Sequence, residues 1–278
     1  MKLARNSSSR RKLLVKNSRY TRNVERIRGD STIRYIHAVI GQRGDGRNWD
    51  QLRPVSFERG VAKFAEGSCR VSVGDTVVLV TATVEDRVPV WMKGQGKGWV
   101  TAEYGMLPRS GRQRNQRESH RPNGRTMEIQ RLIGRCMRSV VDLHALGERT
   151  VTLDCDAIQA DGGTRTASIS AAFIALSDAF TWMKSQRMLN REPMNEMIAA
   201  VSVGIVGPQE LLDLNYEEDS RAAVDMNLVM TDAMRYVEVQ GTAEAEPFEE
   251  ERFAKLIGLG KKGLRELFVL QRQALGLE

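Results

Sequence analysis

A glycine pair, a threonine and an arginine, Gly162-Gly163-Thr164-Arg165, stand between a strand pattern and a helix pattern. Upstream, Val151, Leu153, Cys155 and Ala157 alternate with Thr152, Asp154 and Asp156, the period-2 pattern of a strand with one buried face. Downstream, Ala167 to Leu176 is rich in small and apolar helix formers. Glycines let backbone approach a ligand without Cβ interference. Thr164 is placed to cap the helix, and unpaired amides in the first helical turn favour an anion. The fork of the Arg165 guanidinium suits phosphate. This pattern is that of a phosphate seat, and it equally fits a tight strand-to-helix connection with a solvated arginine.

Three more stretches bear on that choice. In Pro122-Asn123-Gly124-Arg125-Thr126-Met127-Glu128, a second arginine follows a glycine where a helix begins. Two helix N-termini, each with an adjacent arginine, suffice to hold one phosphate; a lone helix start is the plainer reading of Arg125. Arg109, Arg112, Arg114, Arg117 and Arg121 fall in a loop with no apolar stripe, so they form no core face. Such a loop is either solvated or tracks a nucleic-acid backbone, and its lack of interleaved aromatics speaks against base stacking. Finally, Asp219 and Asp225 stand six residues apart across a turn into a strand, beside Glu217 and Glu218. They are either surface carboxylates or, near a bound phosphate, groups that hold a divalent cation or protonate a leaving oxygen.

The elements that must position these residues are readable as a series. Strand patterns cover 55–58, 67–73, 76–84 and 99–104, and a polar basic loop covers 109–125. A helix is predicted over 127–146, with Ile129, Leu132, Ile133, Cys136, Met137, Val140 and Leu143 on one face. After the glycine stretch come a hairpin of 199–206 and 211–216 around Gly207-Pro208, and strands at 225–231 and 236–240. A closing helix spans 248–274 and is expected to bury Phe253, Leu256, Ile257, Leu264, Leu267 and Phe268. The order predicts a mixed α/β fold of two halves, each a sheet covered by helices.

Composition narrows the function classes. Hydrophobic residues make up 41% and charged residues 28%, as in a globular protein with a large core. No apolar run reaches the roughly 18 residues of a membrane helix, and no apolar segment follows the first basic residues, so membrane insertion and secretion are not expected. Cys69, Cys136 and Cys155 show no paired spacing, which excludes a zinc knuckle and fits a reducing cytoplasm. His37, His120 and His144 are too scattered for a histidine metal site. Gly94-Gln95-Gly96-Lys97-Gly98 lacks the GxxxxGK[ST] order of a nucleotide loop, excluding that class of NTPase. The net charge of +7 is uneven, because residues 1–47 hold 13 Lys/Arg against 3 Asp/Glu. Residues 1–45 read as a basic flexible extension, 46–190 as an N-terminal half and 191–278 as a C-terminal half.

Taken together, these stretches resemble the ribonuclease PH family. The shared marks are Arg53-Pro54-Val55, Ala65-Glu66-Gly67-Ser68, the run from Gly98 through Trp99 to Ser110, Gly124 through Ile133, the glycine stretch, and Gly241-Thr242-Ala243-Glu244. The resemblance covers nearly all the chain from Arg53 on, with Gly111 and Ala245 as small departures. It implies a ribosomal-protein-S5-like α/β fold of two pseudo-symmetric halves, built into a homohexameric ring of three dimers. It also implies a cytoplasmic, phosphate-dependent 3′-to-5′ exoribonuclease that trims tRNA precursors and releases nucleoside 5′-diphosphates. Phosphate would be held at Arg125, Gly163, Thr164 and Arg165, and tRNA at Arg109, Arg114 and Arg117. The acidic pair falls on Asp219 and Asp225, with Asp225 the choice for proton donor and Mg2+ held between them. The alternative is a catalytic or scaffold ring subunit of an exosome-like assembly. Retention of Arg125, Thr164, Arg165, Asp219 and Asp225 and the lack of appended RNA-binding domains favour the stand-alone enzyme.

Overall fold

The structure, a computed structural model, describes residues 43–117, 123–244 and 246–277. Residues 1–42 and Arg121 of the basic loop lie outside the described residues. The first sheet is assembled from β1 (Val55–Arg59), β2 (Gly67–Val73), β3 (Thr76–Glu85), β4 (Trp99–Met106) and β5 (Thr150–Gln159), in the order β1-β2-β3-β5-β4. All pairings are antiparallel except β4 with β5. A parallel pair needs a crossover, and here it is α1 (Gly124–Ser139) with the short α2 (Leu143–Leu146). β5 alternates as expected: Val151, Leu153, Cys155 and Ala157 are buried, while Asp154 and Asp156 face the other side.

The second sheet is wholly antiparallel: β6 (Ile198–Val206), β7 (Gln209–Leu212), β8 (Val224–Thr231) and β9 (Tyr236–Ala243), in the order β7-β6-β8-β9. The long α3 (Thr164–Ser185) links the two sheets, contacting β2 and β3 of one and β6 of the other. That position explains its composition, since a helix covered on nearly every side has no polar face to spare. Between β7 and β8 lies the one-turn α4 (Tyr216–Asp219), and α5 (Glu250–Leu275) closes the chain. β6, packed between α3 and α5, is likewise buried along almost its whole length. Among the described residues, no helix is long and apolar enough to cross a membrane.

Four local expectations need correction. The predicted helix over 127–146 is two helices, because Asp142 starts a new one by accepting from the amides of His144 (2.9 Å) and Ala145 (3.2 Å). The strand expected to reach Tyr216 ends at Leu212. Asn215 then caps α4 in a reciprocal pairing with Glu218, a local bond set that outcompetes strand pairing. Phe253, expected in the core, is 39% exposed, and Ile257 is only partly buried, because the apolar stripe of α5 is centred on Leu256, Leu264, Leu267 and Phe268. Arg43, assigned to the leading extension, is buried: its Nε donates to Glu218 (2.7 Å) and its Nη atoms donate to the carbonyls of Leu212 (2.6 Å) and Asp213 (2.8 Å).

Candidate active site

The glycine turn joins β5 to α3. Gly162 and Gly163 both have left-handed backbones (φ 77° and 67°), which L side chains rarely adopt. A Cβ on Gly162 would lie 2.7 Å from the carbonyl oxygen of Leu214 and 2.8 Å from the amide nitrogen of Tyr216. The turn is thus pressed against the start of α4, the helix that ends in Asp219. Gly163, and not Thr164, occupies the cap position of α3, and no side chain caps that end. Thr164 is the first helical residue, and its hydroxyl oxygen instead accepts from the buried Tyr104 hydroxyl at 2.9 Å. The amides at the start of α3 therefore keep no side-chain cap of their own, the condition that leaves a helix N-terminus available to an anion.

A second set of residues fixes the turn from behind. Thr76 donates its hydroxyl to the Gly162 carbonyl (2.7 Å) and accepts from the Asp161 amide (2.9 Å). Arg53 donates Nη1 to the Asp161 carbonyl (2.6 Å), while its Nε and Nη2 grip the two oxygens of Asp213 (2.9 and 2.7 Å). Burial works against the Arg53 charge, but the bonds to Asp213 outweigh it and raise its pKa. Arg47 adds a bond to the Asp213 carbonyl at 3.0 Å, and Arg43 and Arg47 both face Glu218. Sequence reasoning missed this set. Its one signal was the position of Arg53 in Arg53-Pro54-Val55, a stretch that carries the family resemblance.

The two predicted phosphate arginines and the two predicted acids are electrostatically linked. Arg125, second residue of α1, is exposed, and α1 starts with Asn123 accepting from the Thr126 amide at 2.9 Å. The Arg165 side chain is only 17% exposed; its Nη1 donates to Gln240 Oε1 at 2.8 Å and lies 3.5 Å from Glu128 Oε1. Asp219 has its pKa raised by burial, against the opposing charges of Arg125, Arg165 and Arg53. Asp225 is pushed up to about 6, first by burial and then by the charge of Asp219, with Arg165 and Arg125 pulling the other way. Both arginines therefore act on both carboxylates, Asp219 acts on Asp225, and Glu244 raises both. Glu128 and Gln240 also line a cleft of about 410 Å3 between α1 and β9, shared with Met127, Arg131 and Arg135.

The basic loop joins this site at its base. Ser110 is buried, and its carbonyl accepts from the Ala160 amide (2.8 Å), just ahead of the glycine turn. The Arg112 guanidinium lies 5.9 Å from the Tyr216 ring on α4. Arg109, Arg114 and Arg117 are exposed, and Arg109 reaches the Arg112 carbonyl (3.4 Å). Among the described residues a Cβ at Gly111 would meet nothing closer than the Gln113 carbonyl at 3.8 Å, so their packing does not require a glycine there. The three cysteines are buried, and burial pushes the Cys69 and Cys136 thiols up to about 12, which leaves them poor nucleophiles.

A divalent cation would find in Asp219 and Asp225 hard oxygen ligands of the kind Mg2+ prefers, and burial works against the bare anion of each. Among the described residues no group of three His, Cys, Asp or Glu could hold a metal alone.

The fold is thus a mixed α/β architecture that sets a glycine turn at an uncapped helix start, two helix-start arginines and two partly buried carboxylates on which those arginines act. Residues 51–181 match domain 1, and residues 196–263 domain 2, of the 3′ exoribonuclease family of the ribonuclease PH type; the chain belongs to that family. The fold is shared with solved structures. Rice (Oryza sativa) Rrp46 superposes with a TM-score of 0.66 at 20% identity, covering 83% of this chain and 96% of that one. The Archaeoglobus fulgidus exosome with RNA bound to its active site gives 0.69 at 25% identity, over 82% and 92%. The archaeal exosome core gives 0.66 at 24%, over 84% and 91%.

Proposed function

We propose that this chain is a phosphorolytic 3′-to-5′ exoribonuclease that trims tRNA precursors in the cytoplasm, working as a homohexamer of three dimers. The observation that carries this reading is the shared field of Arg125 and Arg165 on the carboxylates of Asp219 and Asp225. An anionic nucleophile must approach an anionic diester, so both have to be neutralised before bonds form. Arg125, Arg165 and the amides at Gly163 and Thr164 seat inorganic phosphate. A phosphate oxygen attacks the last phosphorus, the bond to the 3′-oxygen breaks, and a nucleoside 5′-diphosphate leaves. The freed 3′-oxygen takes a proton from Asp225, whose pKa of about 6 keeps a protonated fraction near neutrality. With Asp225 kept for proton donation, Asp219 would hold Mg2+, which when bound supplies positive charge to the phosphoryl oxygens. Arg109, Arg114 and Arg117 hold the tRNA body through its backbone, setting affinity without choosing sequence.

The likeness to exosome proteins favours a second reading, a ring subunit of an exosome-like assembly. One experiment separates them. The purified chain is incubated with 3′-extended tRNA and Mg2+, with or without inorganic phosphate, and its solution mass is measured. Nucleoside diphosphates formed only with phosphate, by a hexamer of this chain alone, are expected. Monophosphate products, or turnover indifferent to phosphate, would remove the phosphorolytic mechanism. An inactive chain that gains activity only with a second subunit would establish the ring-subunit reading.

A further inference from the structure

We infer that Gln240 is a positioning residue that aims Arg165 while leaving its charge available to the incoming anion. The inference rests on the phosphate-seat reading of Arg165. Among the described residues the shorter bond of Arg165 Nη1 goes to a neutral amide oxygen, Gln240 Oε1 at 2.8 Å, and its ion pair with the Glu128 carboxylate is long, at 3.5 Å. Elsewhere the chain does the opposite, and the guanidinium of Arg53 meets both oxygens of Asp213 at 2.7 and 2.9 Å. A carboxylate at bonding distance cancels much of a guanidinium's charge toward a third group, whereas an amide dipole fixes its direction without neutralising it.

The orientation of the amide is itself determined. Gln240 Nε2 donates to Glu128 Oε1 at 3.3 Å. An ionised carboxylate only accepts, so the NH2 end must face Glu128 and the carbonyl end must face Arg165. Glu128 thereby sets the amide and leaves the closest partner of Arg165 neutral. The placement comes from β9: Thr242 lies opposite Asp225 on β8, and Gln240, two residues away, shares that face. One face of one strand pair thus presents both the proposed proton donor and the group that aims the phosphate arginine. The spacing of Gln240 from Gly241-Thr242-Ala243-Glu244 was the only sequence signal for it.

The test compares Gln240→Glu with Gln240→Ala in the full chain, reading inorganic phosphate binding by calorimetry, the KM values for phosphate and RNA, and thermal midpoint. Gln240→Glu is isosteric but places a carboxylate where the amide oxygen was. Its other oxygen replaces Nε2 beside Glu128, so a modestly lower midpoint is expected, and phosphate binding should weaken by about tenfold or more with an RNA KM within about twofold of wild type. Gln240→Ala removes orientation but adds no charge, and is expected to weaken phosphate binding by about three- to fivefold. Equal phosphate binding in Gln240→Glu and wild type overturns the inference. So does a loss no greater than in Gln240→Ala, or one that vanishes when binding is measured well below the midpoint of every variant. A wild-type chain that binds phosphate without turning over RNA sinks only the catalytic reading, and the binding comparison still decides. A wild-type chain that binds no phosphate sinks both.

Discussion

Two sets of arginines in this molecule are built on opposite principles. Arg43, Arg47 and Arg53 are buried and lie against Asp213 and Glu218, and Arg53 goes on to hold the Asp161 carbonyl behind the glycine turn. Arg125 and Arg165 lie at helix starts, nearer solvent, and Arg165 is held chiefly by an amide. A buried guanidinium needs a carboxylate to offset its desolvation. One meant to receive an anion keeps more of its charge when its carboxylate stands further off, as Glu128 does from Arg165 at 3.5 Å. The contrast separates arginines that build the site from arginines proposed to work in it, although all five carry the same side chain.

The comparison breaks hardest at Asp213. Asp213→Ala would leave Arg53 and Arg47 buried without their partner and is expected to cost about 3–5 kcal/mol in urea unfolding. A loss below about 1 kcal/mol would show that the buried set is not what holds the turn. Arg165→Ala should do the reverse, lowering phosphorolytic kcat/KM by about 10²–10³-fold with little change in unfolding midpoint. Intact turnover would mean that the anion sits elsewhere. Gly162→Ala combines the two effects, since its Cβ would meet the Leu214 carbonyl at 2.7 Å on a left-handed backbone. A loss of about 1–3 kcal/mol with a raised phosphate KM is expected, read by melting and kinetics on the same sample.

Smaller effects sharpen the same contrast. The Asp225 carboxyl is raised from 3.8 to about 6, so the folded chain holds an extra proton between those values. The associated stability is complete below pH 3.8 and is lost as pH rises through about 6. Asp225→Asn should therefore stabilise the metal-free chain at a pH of about 7–8 by on the order of 1–2 kcal/mol, allowing for solvent screening, with the gain vanishing towards a pH of about 4. A pH-independent gain would contradict that origin. Replacing Arg109, Arg114 and Arg117 together by Ala should raise the RNA KM severalfold while leaving the phosphate KM unchanged. Its salt dependence should become shallower by about one unit of slope for each phosphate that these arginines neutralise. An altered phosphate KM would place that loop in the chemistry.

Much of the fold was legible because its signals are local. The alternation in β5, the Gly207-Pro208 hairpin and the stripe of α1 each follow from residues adjacent in sequence. The errors fell where a side chain redirects the backbone, at Asp142 and Asn215, or where one residue position decides burial, as at Phe253. Arg43 was misplaced because a basic residue in a basic stretch carries no local sign that it will meet Glu218, 175 residues on.

Residue type and spacing alone determined the strand–turn–helix at Gly162-Gly163 and the presence of two helix-start arginines and two acids. Family membership was legible in the same residues and is carried by the matches over 51–181 and 196–263. Only the tertiary structure decided which arginines are neutralised, that Gly163 rather than Thr164 ends the turn, and that Gln240 faces Arg165. The reason is physical: burial and charge pairing depend on groups brought together from opposite ends of the chain, and no local pattern encodes the distance between them.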